Sequence, residues 1–157
     1  MPTSLCQIIV HIIFGTKGRA GCLTDDVHAY IAGIITNVGG IPIIINGPSD
    51  HVHILAYLPK DYCTPDFVRV IKSNSSKWFP HPQMKWQTGY AAFSVSPTSI
   101  DKVKDYIAKQ KEHHSQVDFA TEMKRYLAES GHEDVWKEWF DPGYVPSRQH
   151  GGPTEQE

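Results

Sequence analysis

The residues of this chain best suited to chemistry are two histidines, a tyrosine and a glutamine in two separate segments. His51 and His53 flank Val52 in an alternating run that follows the turn-forming sequence of residues 46–49. Residues i and i+2 of a β-strand point to the same face, so the sequence places these two imidazoles side by side. Two neighbouring imidazoles on a rigid strand provide half of a metal site.

The second segment places a phenol and an amide one helical turn apart. Tyr106 and Gln110 are at positions i and i+4 of a predicted helix, so they share a face. Two imidazoles and an amide oxygen would form a facial metal site that polarises a phosphoryl oxygen, and a tyrosine beside it can attack phosphorus. Because a free phenol has a pKa of about 10, the metal or a cation such as Lys109 must favour the phenolate. The alternative for Lys109 is a solvated surface position.

The elements that must bring these segments together are predicted in the order β-α-β-β-α-β. Apolar periodicity predicts strands over residues 5–14, 41–45, 51–58 and 86–95, and helices that begin near Thr24 and Thr64. This order is typical of an α+β, ferredoxin-like fold, with a four-stranded antiparallel sheet and two helices on one face. A third helix is predicted to begin at residues 96–98, and additional C-terminal helices over 119–129 and 132–140.

Bulk composition limits the classes of protein. The chain has 157 residues, 40% hydrophobic and 20% charged, which predicts one globular domain over residues 1–141. Residues 142–157 have little to bury and are predicted to form a flexible tail. The net charge of −2 excludes a uniformly basic nucleic-acid binder, so any DNA contact must be local.

Cysteine usage and hydropathy indicate the compartment. The three cysteines are widely spaced and form no Cys-x-x-Cys pair, which argues against a disulfide framework and for a reducing cytoplasm. The apolar run from Leu5 to Phe14 is interrupted by His11 and follows no basic region, so we expect no signal peptide. No run approaches the roughly 18 apolar residues of a membrane helix, and no membrane partner is predicted.

Several segments together resemble one family. The sequence from Asp50 to His53 resembles the HUH motif (histidine, bulky apolar residue, histidine) of HUH endonucleases. Residues 106–114 resemble the nucleophile helix of the single-tyrosine HUH transposases, which include small insertion-sequence transposases and REP-associated tyrosine transposases. Residues 16–19, 69–78 and 86–95 resemble the family's basic turn, second helix and fourth strand. The resemblance runs from about residue 5 to residue 114, with the segments in the family's order.

The resemblance implies a function and a site. It implies that His51, His53 and Gln110 bind Mg²⁺ or Mn²⁺ and that Tyr106 attacks the scissile phosphate, leaving a 5′-phosphotyrosine and a free 3′-hydroxyl. The implied protein is a DNA transposase that cleaves and rejoins single-stranded DNA with hairpin ends. It also implies a homodimer, in which the tyrosine helix of one subunit can serve the histidines of the other. Ligand softness leaves the physiological metal open, since Mg²⁺ prefers oxygen and imidazoles suit Mn²⁺ better.

Local basic groups are the predicted DNA contacts. Basic side chains position phosphates, and exposed aromatic rings can stack unpaired bases. The predicted phosphate contacts are Lys17, Arg19, Arg69, Lys72, Lys77 and Lys109. The aromatic candidates for base stacking are Trp78, Trp86 and Tyr90, although Trp86 and Phe93 are better explained as core residues.

Other interpretations of the same residues stay open. A rolling-circle initiator or relaxase commonly has a third metal-binding histidine and extra domains, for which this chain shows no obvious counterpart. A histidine-triad hydrolase needs a third alternating histidine where this chain has Leu55. A third alternative is a single-stranded RNA-binding module, in which the histidines would have no catalytic role. A variant of it is a domesticated, non-mobile nickase or nucleic-acid-binding copy of the same fold. His113 and His114 receive no assigned role.

Overall fold

The structure, a computed structural model, describes residues 4–80, 84–113 and 117–140. Its internal contacts divide the chain into two compact units, Met1–His114 and Ser115–Glu157. All the predicted site residues belong to the first unit. The single domain over 1–141 stays a prediction, and the predicted tail over 142–157 lies outside the described residues.

A four-stranded antiparallel sheet forms the centre of the first unit, which confirms the predicted α+β class. Its strands are β1 (Ile9–Gly15), β2 (Ile41–Asn46), β3 (His51–Tyr57) and β4 (Ala91–Ser94). The strand order is β2-β3-β1-β4, so the two strands that carry histidines are the central pair. Central strands are hydrogen-bonded along both edges, which makes them the most rigid support in the sheet.

One face of the sheet, which we call the apolar face, is covered by two helices. Helices α1 (Asp25–Asn37) and α2 (Thr64–Trp78) begin near the predicted positions, and α2 has a proline in its first turn. Every second residue of the two central strands is apolar on this side and packs in one core with the helices. The strand residues of this core are Val10, Ile12, Phe14, Val52, Ile54 and Ala56.

The opposite face of the sheet, which we call the site face, is partly covered by a third helix. Helix α3 (Ile100–Ala108) follows a 3₁₀ turn at Pro97–Ser99. Its buried Ile107 packs with Ile9 and Leu55. At Lys109 the backbone leaves helical geometry (φ −93°, ψ 9°), and a short helix α4 (Gln110–His113) follows. Tyr106 and Gln110 therefore lie on two consecutive helices, where a single helix was predicted.

The predicted fourth strand is wrong over its first half. Only Ala91–Ser94 pairs continuously with β1, and Trp86 makes an isolated bridge to Thr16. Between them the chain bulges, because Gly89 has a positive φ of 89° and the Gln87 side-chain oxygen accepts a 2.7 Å hydrogen bond from the Gly15 backbone N–H. A strand is interrupted where side chains provide the hydrogen bonds that the neighbouring strand would otherwise make, even when the alternating hydrophobic pattern continues.

The second unit contains two helices that the sequence predicts closely. Helix α5 (Phe119–Glu129) is capped by Asp118, whose carboxylate accepts a 2.8 Å hydrogen bond from the Thr121 backbone N–H. Helix α6 (Glu133–Phe140) packs against it through Phe119 and Phe140, whose ring centroids are 5.4 Å apart. Across the described residues of both units, every helix is too short or too polar to cross a membrane.

Candidate active site

Three histidines, not two, lie on the site face of the central strands. In the antiparallel ladder between β1 and β3, His53 is opposite Ile13 and His51 is opposite Gly15, while His11 is opposite Leu55. Opposed residues of such a ladder share a face, so all three imidazoles project to the same side. Each of the three side chains is fully buried, at 0% exposure.

His51 is held by the acidic residue that precedes it. Its Nδ1 atom lies 2.8 Å from Oδ1 of Asp50. The backbone of Asp50 is fixed in turn, because its carbonyl oxygen accepts hydrogen bonds from the Thr16 N–H (2.9 Å) and hydroxyl (3.1 Å). A carboxylate on one imidazole nitrogen orients the ring and makes the other nitrogen the natural metal ligand.

The hairpin that leads into His51 depends on a glycine. A Cβ atom added at Gly47 would lie 2.4 Å from the carbonyl oxygen of His51. No side chain can occupy that space without moving the backbone, so the tight approach of the two strands requires glycine at this turn. The turn predicted at residues 46–49 thus sets the start of β3, and with it the position of His51.

His53 is held by His11, the histidine that sequence reasoning treated only as an interruption of an apolar run. The Nε2 atom of His11 lies 3.0 Å from Nδ1 of His53, and the two ring centroids are 5.2 Å apart. His51 and His53 are also 5.2 Å apart by ring centroids, at an interplanar angle of 63°. The only sequence signal for His11 is its alternation with Ile9 and Ile13, which puts it on the site face once the strand register is known.

Helix α3 brings Tyr106 to the histidines of its own chain. The half-buried tyrosine ring lies 5.8 Å from the His53 ring and 6.4 Å from the His11 ring by centroids. The ring of His113 lies 6.0 Å from the tyrosine ring, also by centroids. The predicted meeting of the histidine hairpin and the tyrosine helix is therefore present in the structure of one chain.

The end of α3 is tied to the histidine hairpin by Asn46. The Asn46 side-chain amide donates to the carbonyl oxygens of Ile107 (3.0 Å) and Ala108 (3.3 Å). These carbonyls belong to the last turn of the helix, whose C-terminal carbonyls have no partner within the helix. Since Asn46 is opposite His53 in the ladder between β2 and β3, one strand pair positions both the imidazole and the helix of Tyr106.

Gln110, the predicted third metal ligand, is the fully buried first residue of α4. The next residue, Lys111, forms an ion pair with Asp25 at the start of α1. This hydrogen-bonded lysine holds the pKa of the Asp25 carboxyl below its usual value. The ion pair fastens the short helix that begins with Gln110, and the role of Gln110 as a ligand stays a prediction.

The predicted DNA-contacting residues differ in their surroundings. Lys17, Arg19, Lys77 and Lys109 are exposed, and Arg69 is exposed while paired with Asp66 at 2.6 Å. Their contact with DNA remains a prediction.

Lys72 differs from the other basic residues because it is half-buried and engaged within the fold. Its ammonium group donates to the carbonyl oxygens of Gln87 (2.8 Å) and Gly89 (2.6 Å) and lies 5.1 Å from the Phe14 ring centroid. Burial lowers the pKa of Lys72 to about 8. These contacts give it a structural role at the bulge before β4, and its contact with DNA also stays a prediction.

The aromatic candidates divide between core and surface. Trp86 packs edge-on against Phe14, with centroids 4.8 Å apart, in agreement with the predicted core role. Phe93 is half-buried on the site face, 6.4 Å from the His11 ring, and so lies beside the candidate site. Trp78 is 39% exposed and stacks on Tyr30 at 4.4 Å.

An antiparallel sheet with paired histidines at its centre and a tyrosine helix across them is the arrangement expected of a single-tyrosine HUH transposase. The family model described as "Transposase IS200 like" matches residues 4–110. The chain belongs to this family, which confirms the resemblance inferred from sequence. Membership makes it a transposase, an enzyme class that cleaves DNA during transposition.

Individual relatives agree with this assignment. The chain is 26% identical to the ISDra2 transposase TnpA of Deinococcus radiodurans over 118 residues, which cover 66% of this chain and 84% of the relative. A crystal structure described as a transposase from Deinococcus radiodurans R1 superposes with a TM-score of 0.55 at 24% identity, covering 70% of this chain and 95% of the other. A REP-associated tyrosine transposase bound to a REP hairpin superposes with a TM-score of 0.56 at 16% identity, covering 74% of each chain.

Proposed function

We propose that this transposase cleaves and rejoins single-stranded DNA at insertion-sequence ends through a covalent 5′-phosphotyrosine on Tyr106. The observation that carries the proposal is the position of the Tyr106 ring, 5.8 Å from the ring of His53. A nucleophile and a pair of metal-binding side chains must act on the same phosphate, so they must converge on one place.

The competing tyrosines are in less suitable surroundings. Burial raises the pKa of the Tyr126 phenol, and Glu122 and Glu129 raise it further, which disfavours the nucleophilic phenolate. Tyr90 is half-buried against the apolar core. Tyr106 is half-buried at the edge of the site, where DNA can approach it.

We propose that a divalent cation, Mg²⁺ or Mn²⁺, is held by the Nε2 atoms of His51 and His53 together with Gln110. The fit is supported by the Nδ1 atoms, which are engaged by Asp50 in one ring and by His11 in the other. This is the outer-shell arrangement by which metal-binding histidines are oriented. When bound, the cation would polarise the scissile phosphate and favour the phenolate.

The covalent step exchanges one phosphodiester for another. The Tyr106 phenolate oxygen attacks phosphorus, the bond from phosphorus to the 3′ oxygen breaks, and that oxygen leaves as a 3′-hydroxyl after taking a proton. The tyrosine phosphodiester keeps the energy of the broken bond, so a 3′-hydroxyl can attack it and rejoin the strands without ATP. Lys109, exposed at the end of α3, is the candidate cation for the developing charge.

The proposed substrate is single-stranded DNA with a hairpin. A solved relative of the same fold is bound to a REP hairpin, which supports this kind of partner. The exposed residues Lys17, Arg19, Lys77 and Lys109 would contact its phosphates, and neutralised phosphates make such binding salt-dependent. We also propose a homodimer, and the contact of Tyr106 with His53 of its own chain favours a site completed within one subunit.

The test is a covalent trapping assay. Purified protein is incubated with Mn²⁺ or Mg²⁺ and labelled single-stranded DNA that carries the hairpin of its element, and adducts that survive denaturation are resolved on a gel. We expect an adduct with the wild type and none with Tyr106→Phe, although the variant still binds DNA. The matched controls, Tyr90→Phe and Tyr126→Phe, should keep the adduct.

Three outcomes would overturn the proposal in whole or in part. An undiminished adduct with Tyr106→Phe would show that the nucleophile is another residue. Cleavage of double-stranded DNA at the same rate as single-stranded DNA would remove the proposed substrate. An adduct that is unaffected by the double change His51→Ala and His53→Ala would remove the metal role while leaving the tyrosine in place.

A further inference from the structure

We infer that His11 is a positioning residue that fixes the tautomer and the orientation of His53 for cation binding. The inference deepens the proposed function and rests on it, since it assumes that His53 is a ligand. It starts from one contact, the 3.0 Å separation between Nε2 of His11 and Nδ1 of His53. Both side chains are fully buried, so this hydrogen bond is not weakened by competing water.

The chemistry of imidazole assigns the proton in this contact. A neutral imidazole carries one N–H and one lone pair, and a metal ligand must offer the lone pair. If His53 offers Nε2 to a cation, its Nδ1 carries the hydrogen and donates it to His11. Nε2 of His11 is then the acceptor, and His11 carries its own hydrogen on Nδ1. Loss of His11 would leave His53 free to adopt the other tautomer, which cannot bind the cation through Nε2.

The backbone explains why His11 can do this. It lies on β1 two residues from Ile13, the residue opposite His53, so the two histidines are diagonal neighbours on the site face. Their ring planes are inclined by only 29°, so the two nitrogens meet close to the plane of both rings, where an imidazole N–H and a ring lone pair lie. The Tyr106 ring packs edge-on against both imidazoles. The contact between His11 and His53 therefore also shapes the surface against which the proposed nucleophile packs.

The two proposed ligands are thus oriented by different chemistry. His51 is paired with the Asp50 carboxylate, which is 28% exposed, whereas His53 is paired with the fully buried imidazole of His11. His11 acts through His53, because its Nε2 is directed at the ring nitrogen of His53 that faces away from the proposed cation.

The experiment measures Mn²⁺ binding by electron paramagnetic resonance of free Mn²⁺, without DNA and without turnover. His11→Leu replaces the imidazole with an apolar side chain of similar size that has no hydrogen-bond acceptor. This change should weaken Mn²⁺ binding about 10- to 100-fold. His11→Gln supplies an oxygen acceptor and should restore most of the affinity. A purely structural role predicts the reverse order, since leucine suits a buried strand better than glutamine.

The controls separate this inference from the proposed function. If His53→Ala loses Mn²⁺ binding while His11→Leu binds like the wild type, His11 has no positioning role and the metal site stands. If His53→Ala binds Mn²⁺ like the wild type, the proposed metal site itself is wrong. For the case in which His11→Leu fails to fold, ¹⁵N chemical shifts of the wild-type histidines with Mg²⁺ bound decide the question. The inference requires the Nδ1–H tautomer of His53, and the Nε2–H tautomer would overturn it.

Discussion

The two faces of the sheet use the same strands for different purposes. On the apolar face, Ile12 and Ile54 are fully buried among the side chains of α1 and α2. On the site face, the neighbouring residues His11 and His53 are buried just as completely. Burial alone therefore does not distinguish a core position from a functional one in this protein, and the chemistry of the buried group does.

The difference between the faces also has an energetic side. Apolar side chains gain free energy when they leave water, but a buried imidazole loses hydration that only hydrogen bonds can replace. The site face replaces it with the pairs Asp50–His51 and His11–His53. The apolar face thus supplies stability, and the site face uses part of that stability to hold polar groups in place.

The sharpest test of this comparison changes two adjacent residues on opposite faces. Ile54→Ala removes a buried side chain from the apolar face and should reduce the free energy of unfolding by about 2–5 kcal/mol. It should leave Mn²⁺ affinity unchanged in the protein that remains folded. His53→Ala should instead abolish the rise in Tm that Mn²⁺ binding produces in the wild type. Urea denaturation measures the free energy of unfolding, and thermal melts with and without Mn²⁺ measure the metal-induced rise in Tm. A loss of Mn²⁺ affinity in Ile54→Ala would contradict the division of roles between the two faces.

A second test concerns the pair at the start of β3. Asp50→Ala removes the carboxylate that orients His51 and should weaken Mn²⁺ binding about 10- to 100-fold. The exposed acid Asp26 on α1 provides the matched control, since Asp26→Ala removes the same charge elsewhere. Equal Mn²⁺ affinities for the two variants would mean that Asp50 contributes only its charge.

A third test addresses the connection between the hairpin and α3. Asn46→Ala removes the hydrogen bonds to Ile107 and Ala108 and should cost about 1 kcal/mol of stability. We expect covalent adduct formation to slow more than DNA binding weakens, because Tyr106 loses its fixed position. Asn74→Ala, at an exposed site on α2, is the control for a general loss of an asparagine. Adduct formation at the wild-type rate in Asn46→Ala would show that α3 is positioned by its apolar contacts alone.

A fourth test concerns a pH dependence on the apolar side of the sheet. Burial lowers the pKa of Lys72 from 10.5 to about 8, so between these values the unfolded chain binds the proton that the folded chain has lost. The free energy of unfolding of the wild type should therefore rise with pH, relative to Lys72→Met, between about pH 8 and 10.5.

Urea denaturation at about pH 7 and about pH 9.5 measures this difference. Lys77→Met, which removes an exposed lysine from the same helix, should show no such change relative to the wild type. Parallel pH profiles for the wild type and Lys72→Met would contradict the prediction.

The sequence was sufficient for features that depend on local periodicity. Alternation over residues 51–58 predicted β3 and the shared face of His51 and His53, and a helix was predicted over residues 119–129, where α5 lies. The order of elements then predicted the antiparallel sheet, because short connections and alternating elements allow few topologies.

Features that depend on register or on distant partners were not predictable in this way. The contact of His11 with His53 joins residues 42 positions apart and exists only because β1 and β3 pair in one particular register. The bulge before β4 arises from hydrogen bonds made by Gln87 and Lys72, which hydrophobic periodicity does not encode. The helix break at Lys109 could not be predicted from sequence either, because residues 106–113 contain no glycine or proline to signal it.

The ion pair between Lys111 and Asp25 links the ionic strength of the solution to the attachment of the short helix α4. Both side chains are more than half exposed, so dissolved salt screens their attraction. The helix fastened by this pair begins with the buried Gln110. Added salt would therefore weaken the attachment of α4 and, at the same time, the attraction between the protein and DNA phosphates. A measured salt profile of activity would combine the two effects.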